Sequence, residues 1–407
     1  MRTLFVTRDG PGLTYLQSLF VPIFARLGSE GFPFDVIQFR WGAGQEGEDA
    51  RRACEQAGIG YVSAPIWRRP AGLGPLAAAI AGRRHVRAAI RRFGSDAVMP
   101  RGSLAALSTP LRGGKPVPMI YDSDGFDIDE RVDFAGLSSS SFSYRLMRDI
   151  ESQAVRDAAR VVIRTESARP ILIARAGPPV SEERFQVVTN GRDENLFHPH
   201  APAERARARQ EIGVHPEAPL IVYVGTIGHR QRTDQVGQLA LALRRLRSDT
   251  RLLVLTGSPD EARSLLIERM PELAEMTTIM RVAAGEVARH LAAADVGTAQ
   301  VHKSFSTQGI SPLKTAEYLL CGVPVVGTSG VGLNDRALNA GMMFDEAAGP
   351  EAAAEWINAQ VLARRDEFRA RARAVGIEHF SLTRSVADYR RAMEAVRNLS
   401  QAGGPAR

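Results

Sequence analysis

The sequence predicts an α/β protein built from two doubly wound, Rossmann-like domains that face a cleft. Three observations predict it. Short apolar runs alternate with helical patterns, the order that gives a parallel sheet with right-handed crossovers. That alternation closes near "NGRDENLFHP" and then starts again. A chain of 407 residues is long enough for two or three domains, each with its own core.

The elements follow in order. "TLFVT" (3–7) is a strand, and Gly10 and Gly12 open a turn before the helical "YLQSLFVPIFARLGSEG". Strands are then predicted at 34–39, 96–100, 116–122, 160–165 and 185–191. Between them lie the helix-like "SLAALSTPLRGG" and "SFSYRLMRDIESQAVRDA". The second series has strands at 219–226, 250–258, 277–282, 295–301 and 323–329. A long helix over about 350–398, interrupted near Gly376, precedes a tail, "SQAGGPAR", expected to lack order. The expected domains are 1–190, which would bind the acceptor, and 191–380, which would bind the donor. Residues 381–407 would form a C-terminal helix packing back on the first domain, and the tail.

Composition narrows the function classes. The chain is 44% hydrophobic and 24% charged, ordinary for a soluble globular protein. No apolar run reaches the ~18 residues of a membrane span. The chain enters a strand at once, with no signal-peptide pattern. Cys54 and Cys321 are the only cysteines, too few for a disulfide framework or a Cys-rich metal site. They fit a reducing cytoplasm. Net charge is +7, and Gln56–Ser95 contains no Asp or Glu while carrying Arg68, Arg69, Arg83, Arg84, Arg87, Arg91 and Arg92. The segment lacks interleaved aromatics, so no nucleic-acid partner is expected. Its helix is expected to present a solvated cationic face; weak contact with an anionic membrane surface is the alternative, and would place the protein at the inner face of the plasma membrane. Asp127, Asp129, Glu130 and Asp133 fit no calcium loop and are read as a solvated turn.

The chemistry is expected at strand ends of the second series. One strand runs into Gly225, Thr226, Gly228, Arg230 and Arg232, and the next into Gly257. A third leads through His302 and Lys303 to "SPLKTAEYLLCGVPVVG". Ser311 is read as the N-cap and Pro312 as the first helical residue, which puts Lys314 at the third position. A cation there meets the positive end of the helix dipole, where a carboxylate is favoured. The chain has just three lysines, and two of them lie within twelve residues. A bound diphosphate would offset this charge, with glycines allowing close approach and helix N–H groups donating. Glu317, one turn on, is either half of a surface Lys–Glu pair or an acceptor for both ribose hydroxyls of the same nucleotide. The spacing is neither a P-loop nor a dinucleotide fingerprint.

These residues carry a resemblance. "VVTNGRDENLFHP", "YVGTIG" and "SPLKTAEYLLCGVPVVGT" resemble the interdomain, glycine-loop and donor-site segments of the retaining family-four (group 1) glycosyltransferases, which have the GT-B fold. "RGSLAAL" and "IYDSDGFDIDERVDF" look like first-domain segments of a polysaccharide-type branch. The resemblance covers roughly residues 1–345, and Ser311–Val326 is its specific part. It implies that Lys314 and the N–H groups around Leu313 hold the diphosphate. Glu317 would hold the ribose, the strand end at Val282 the base, and Arg230 or Arg232 the second phosphate charge. The glycine loops at Gly225 and Gly257 and the helix start at Ser311 complete the donor side. No metal or other cofactor is implied.

Three positions depart from the family pattern. The first of two glutamates spaced eight apart is absent, its place taken by Gly309. Thr226 replaces the usual arginine after the first glycine, and Arg101 and Ser103 stand where a first-domain histidine is common. In the first domain Asp122 and Asp124 are either turn caps or groups near the reacting hydroxyl. Gly10, Gly12, Arg101 and Ser103 would lie on the acceptor side. The expected function is transfer of a sugar, with retention, from a nucleotide-diphosphate sugar to a hydroxyl of a glycan, a lipid-linked intermediate or a small molecule. Asp122 and Lys314 are the expected catalytic groups. The alternatives are a nucleotide-sugar epimerase or hydrolase, or a silent nucleotide-sugar-binding partner of another transferase.

Overall fold

The computed structural model describes residues 1–10, 14–41, 46–66, 73–109, 117–228 and 230–401. The chain forms two compact units. The first comprises Met1–Thr189, Phe305–Ile310 and Ser385–Arg407; the second comprises Asn190–Ser304 and Ser311–Arg384.

In the first unit, β1 (Thr3–Asp9), β2 (Phe34–Arg40), β3 (Gly60–Pro65) and β4 (Ala97–Pro100) form a parallel sheet in the order β3-β2-β1-β4. Parallel bridges at Val98–Met119 and Arg101–Asp122 carry it on to β5 (Ile120–Asp122), β6 (Arg160–Ile163) and β7 (Phe185–Val187). In the second unit, β8 (Leu220–Val224), β9 (Arg251–Leu255), β10 (Thr277–Met280), β11 (Val296–Ala299), β12 (Val325–Gly327) and β13 (Met343–Asp345) form one parallel sheet. Its order is β10-β9-β8-β11-β12-β13. The direction of winding reverses between β8 and β11, and the crevice at such a switch point is where doubly wound sheets bind ligands.

Burial on both faces explains the continuous apolar strands. Along β8, Leu220, Val222 and Val224 enter one core cluster while Ile221 and Tyr223 enter another. This is the two-residue alternation of a strand with a core on each side. The first unit has a matching core around Leu4, Val6, Ile37, Val98 and Val161.

The structure adds two strands that the periodicity did not predict. β3 is a partly exposed strand at the edge of its sheet, and β13 is an edge strand of three residues. Neither carries the apolar run that marks a buried strand. The C-terminal helix breaks elsewhere than expected. Gly376 lies inside the helix Arg365–Phe380; the breaks come at Arg364 (φ −135°, ψ 46°) and at Ser381, extended at φ −76° and ψ 157°. Ser381 pairs there with Arg192 before the helix Leu382–Gln401 begins. Gly376 serves packing instead: a Cβ there would sit 2.7 Å from the backbone nitrogen of Leu320. The acidic run is not a solvated turn but the helix Asp127–Phe134. Its Asp129 accepts from Tyr144 at 2.8 Å and pairs with Arg175.

Candidate active site

At the switch point of the second unit the glycine loop after β8 meets the helix Leu313–Leu320. Gly225 has φ +119°, a conformation open to glycine at little cost. A Cβ there would lie 3.0 Å from Lys314 Cε, so the lysine stem runs directly against the loop. Lys314 Nζ sits 4.0 Å from the centre of the Tyr223 ring. The stem is part-exposed, but Nζ is sealed from solvent and has no hydrogen-bond partner among the described residues. Burial, with the Arg230 charge added, lowers its pKa to about 7; Glu317 acts in the opposite direction. A buried ammonium without a counter-charge is costly, which is why burial lowers this pKa.

The helix starts one residue later than the sequence suggested. Pro312 is the N-cap and Leu313 the first helical residue, so Lys314 is second rather than third. Ser311 does not cap the helix; its hydroxyl accepts from the Asn190 N–H at 3.3 Å. Lys314 stays in the first turn, where the N–H groups lack helical partners.

Of the two candidate arginines, Arg232 pairs with Glu346 at 3.4 Å. Arg230 bears electrostatically on Lys314. Thr226 is exposed, and its carbonyl accepts from the Tyr223 hydroxyl at 2.5 Å. Gly257 and Arg281 line an open depression of about 560 Å³ at the ends of β9 and β10, and Val282 is the next residue along. Glu317 forms a 2.9 Å ion pair with Arg192, and both side chains are largely buried.

The family description "Glycosyl transferase 4-like domain" matches residues 19–191, and "Glycosyl transferases group 1" matches residues 218–361. The chain belongs to the retaining family-four (group 1) glycosyltransferases, with their GT-B fold. This group 1 chain is 33% identical over 147 residues to the alpha-maltose-1-phosphate synthase of Mycobacterium tuberculosis (strain CDC 1551 / Oshkosh). The match covers 36% of this chain and 34% of that protein, so the chain spans about a third of that relative's length. It is 30% identical over 217 residues to the D-inositol 3-phosphate glycosyltransferase of Pseudarthrobacter chlorophenolicus, covering 51% of this chain and 48% of the relative. Its fold matches the crystal structure of Anabaena Alr3699/HepE in complex with UDP-glucose, with a TM-score of 0.68 at 20% identity over 98% of this chain and 100% of that one.

In the first unit of this group 1 glycosyltransferase, the expected acceptor-side residues separate into buried and accessible sets. Asp122 is fully buried and pairs with Arg164 at 2.5 Å and with Arg101 at 3.6 Å. Burial raises its pKa while the two arginines pull it down. The catalytic expectation for Asp122 supposes an accessible carboxylate, and in the structure it is buried. It holds Arg101, which in turn pairs with Asp124, a side chain 37% exposed. Arg101 also lies over the Phe20 ring at 4.5 Å. Ser103 is fully buried, 3.5 Å from the Tyr121 hydroxyl, and is not available to a ligand. Gly10 backs onto Trp41, whose ring a Cβ would approach to 2.4 Å. Gly12, Arg68 and Arg69 lie outside the described residues.

Gly309 now has a physical reason. It ends the turn Ser306–Gly309, and a Cβ there would come within 2.8 Å of the Phe126 ring. The segment Phe305–Ile310, part of the first unit, is held in place by several contacts. Asp133 accepts from the Ser306 N–H at 2.9 Å, and the Gln308 carbonyl accepts from Thr165 at 2.8 Å. Arg175 lies 5.1 Å from both the Phe126 and Phe305 rings. No side chain fits at 309 in this arrangement. Sequence reasoning missed Arg192, Tyr223 and Phe126. Only Arg192 left a signal: it stands where the family segment has a valine.

Proposed function

We propose that the chain transfers a sugar from a UDP-sugar, with retention, to a hydroxyl of a glycan, a lipid-linked intermediate or a small molecule. One observation carries this reading: the Lys314 ammonium, sealed from solvent and without a hydrogen-bond partner among the described residues, against the Gly225 loop at a helix start. A diphosphate there would gain the Lys314 charge, the positive end of the helix dipole and Arg230. Glu317 would receive the ribose hydroxyls, and the depression at Gly257 and Val282 would receive the base. UDP is favoured over other nucleotides because the structural neighbour HepE was crystallised with UDP-glucose.

In the reaction the bond from the anomeric carbon to the diphosphate oxygen breaks, and negative charge grows on that oxygen. Lys314, Arg230 and helix N–H groups stabilise it, and such oriented groups contribute about 3 kcal/mol each to the barrier. The acceptor oxygen bonds to the anomeric carbon on the face the diphosphate leaves. Its proton passes to the departing phosphate oxygen, so no protein base is required.

Lys314→Ala is expected to lower UDP affinity and turnover by at least about tenfold. Calorimetry showing undiminished UDP binding would remove the reading. The place of Gly309 against Phe126 favours one second reading, a nucleotide-sugar-binding partner without turnover. UDP-sugar binding with no UDP release across a panel of glycan, lipid and sugar-phosphate acceptors would select it.

A further inference from the structure

Arg192 comes from the first turn of chain in the second unit, and nothing in the donor helix calls for it. Yet its backbone is fixed on both sides. Its N–H donates to the Phe380 carbonyl at 2.9 Å, and its carbonyl accepts from the Leu382 N–H at 2.8 Å. The guanidinium lies over the Phe197 ring at 5.0 Å and reaches Glu317 Oε1 at 2.9 Å. Arg192 is 13% exposed and Glu317 12%. Backbone, stem and head group are thus all held, and the head group is aimed at one oxygen of one carboxylate.

We infer that Arg192 is a positioning residue that fixes the Glu317 carboxylate for the ribose diol of the donor nucleotide. The inference rests on the ribose reading of Glu317. A carboxylate offers about four lone-pair sites, so one can be spent on Arg192 while others face the ribose. The pairing also governs charge. Burial pushes the Glu317 pKa up, and Arg192, followed by Lys314, pulls it down. Without Arg192 the carboxyl takes a proton at higher pH, and a protonated group accepts fewer hydroxyl hydrogens.

The other charges around the helix do not duplicate this role. On the helix itself Lys314, Tyr318 and the following Cys321 are the titratable groups. The helix Arg365–Phe380 brings Arg369 and Arg373, which bond the carbonyls of Ala292, Ala294, Phe197, Leu320 and Glu194. The helix Val287–Ala292 brings Arg289, paired with Glu211 and Glu286, and His290, bonded to the Glu286 carbonyl. β11 and β12 bring none.

The test uses the full chain and the one of UDP, ADP and GDP that it binds most tightly, each compared with its 2′-deoxy form. The ratio of the two affinities isolates the ribose contact and cancels the diphosphate and Lys314. The unsubstituted protein should keep a ribose preference of about tenfold or more between pH 5.5 and 8, as for a hydrogen bond to a charged group. Arg192→Ala should lose more of that preference at the acid end of the range than at the alkaline end. Arg192→Lys, which keeps the charge, should hold the flat profile and serves if the alanine variant does not fold. An Arg192→Ala ratio equal to that of the unsubstituted protein at every pH overturns the inference. So does a loss that is pH-independent and unrelieved by lysine. Glu317→Ala separates the two layers: an unchanged ratio there sinks the ribose reading itself. A collapse in Glu317→Ala with none in Arg192→Ala sinks only the role of Arg192.

Discussion

At the scale of single residues, Lys314 has the clearest measurable behaviour. Its pKa of about 7 in the unliganded protein is set by burial and by Arg230. A bound diphosphate would raise it again. Above pH 7 binding must therefore take up a proton, and UDP affinity should fall by up to about tenfold per pH unit toward pH 9. Calorimetry in buffers of different ionisation enthalpy reads the proton directly, and Lys314→Met should abolish both the uptake and the slope. The same shift has a folding consequence. The unfolded chain binds the extra proton between about pH 7 and the ordinary lysine range, so the stability of the unliganded protein rises with pH across that window. Lys314 was legible in the sequence because a cation in the first helical turn breaks a helix-start rule, and Glu317 because it lies one turn further on. Tyr223 was not, because an aromatic in a buried strand looks like any core residue. Arg192 showed only as a departure from the family segment, because its target is 125 positions away in the chain and only the fold joins them.

Among elements, the contact between the helices Leu313–Leu320 and Arg365–Phe380 decides where the lysine sits. Gly376 lets the second helix approach to within van der Waals reach of the Leu319–Leu320 backbone. Gly376→Ala should destabilise the fold by about 1–3 kcal/mol through overpacking, although alanine is the better helix former. Urea melts check the stability, and UDP titration should show weaker binding because the donor helix is displaced. An alanine variant as stable as the parent would mean that the helices separate without cost. The sequence suggested a helix break at Gly376 because glycine commonly ends helices. The packing partner that makes it an interior residue is a tertiary fact. The buried strands were readable from their apolar runs. β3 and β13 were not, since an edge strand need not be apolar on both faces.

For the whole molecule, the doubly wound fold was legible because two parallel sheets impose the same repeated alternation, the architecture it shares with HepE. The basic segment gave a real helix, Leu73–Phe93, with Ile80, Arg84, Arg87 and Arg91 exposed along one face. Among the described residues no helix is long and apolar enough to cross a membrane. We expect this face to hold the protein weakly on anionic vesicles, at about 1 kcal/mol per arginine near the surface. Sedimentation with phosphatidylglycerol vesicles should show binding that weakens with salt and is lost in Arg84→Glu with Arg91→Glu. Equal sedimentation with neutral vesicles would argue against it. The threading of the chain has a further effect. Phe305–Ile310 is embedded in the sequence of the second unit but belongs structurally to the first, so the polypeptide crosses between units at four places. A second unit exchanged as one continuous cassette would carry off the loop that Phe126, Asp133 and Thr165 hold. An exchanged second unit therefore keeps this contact only when the loop and its clasp travel together.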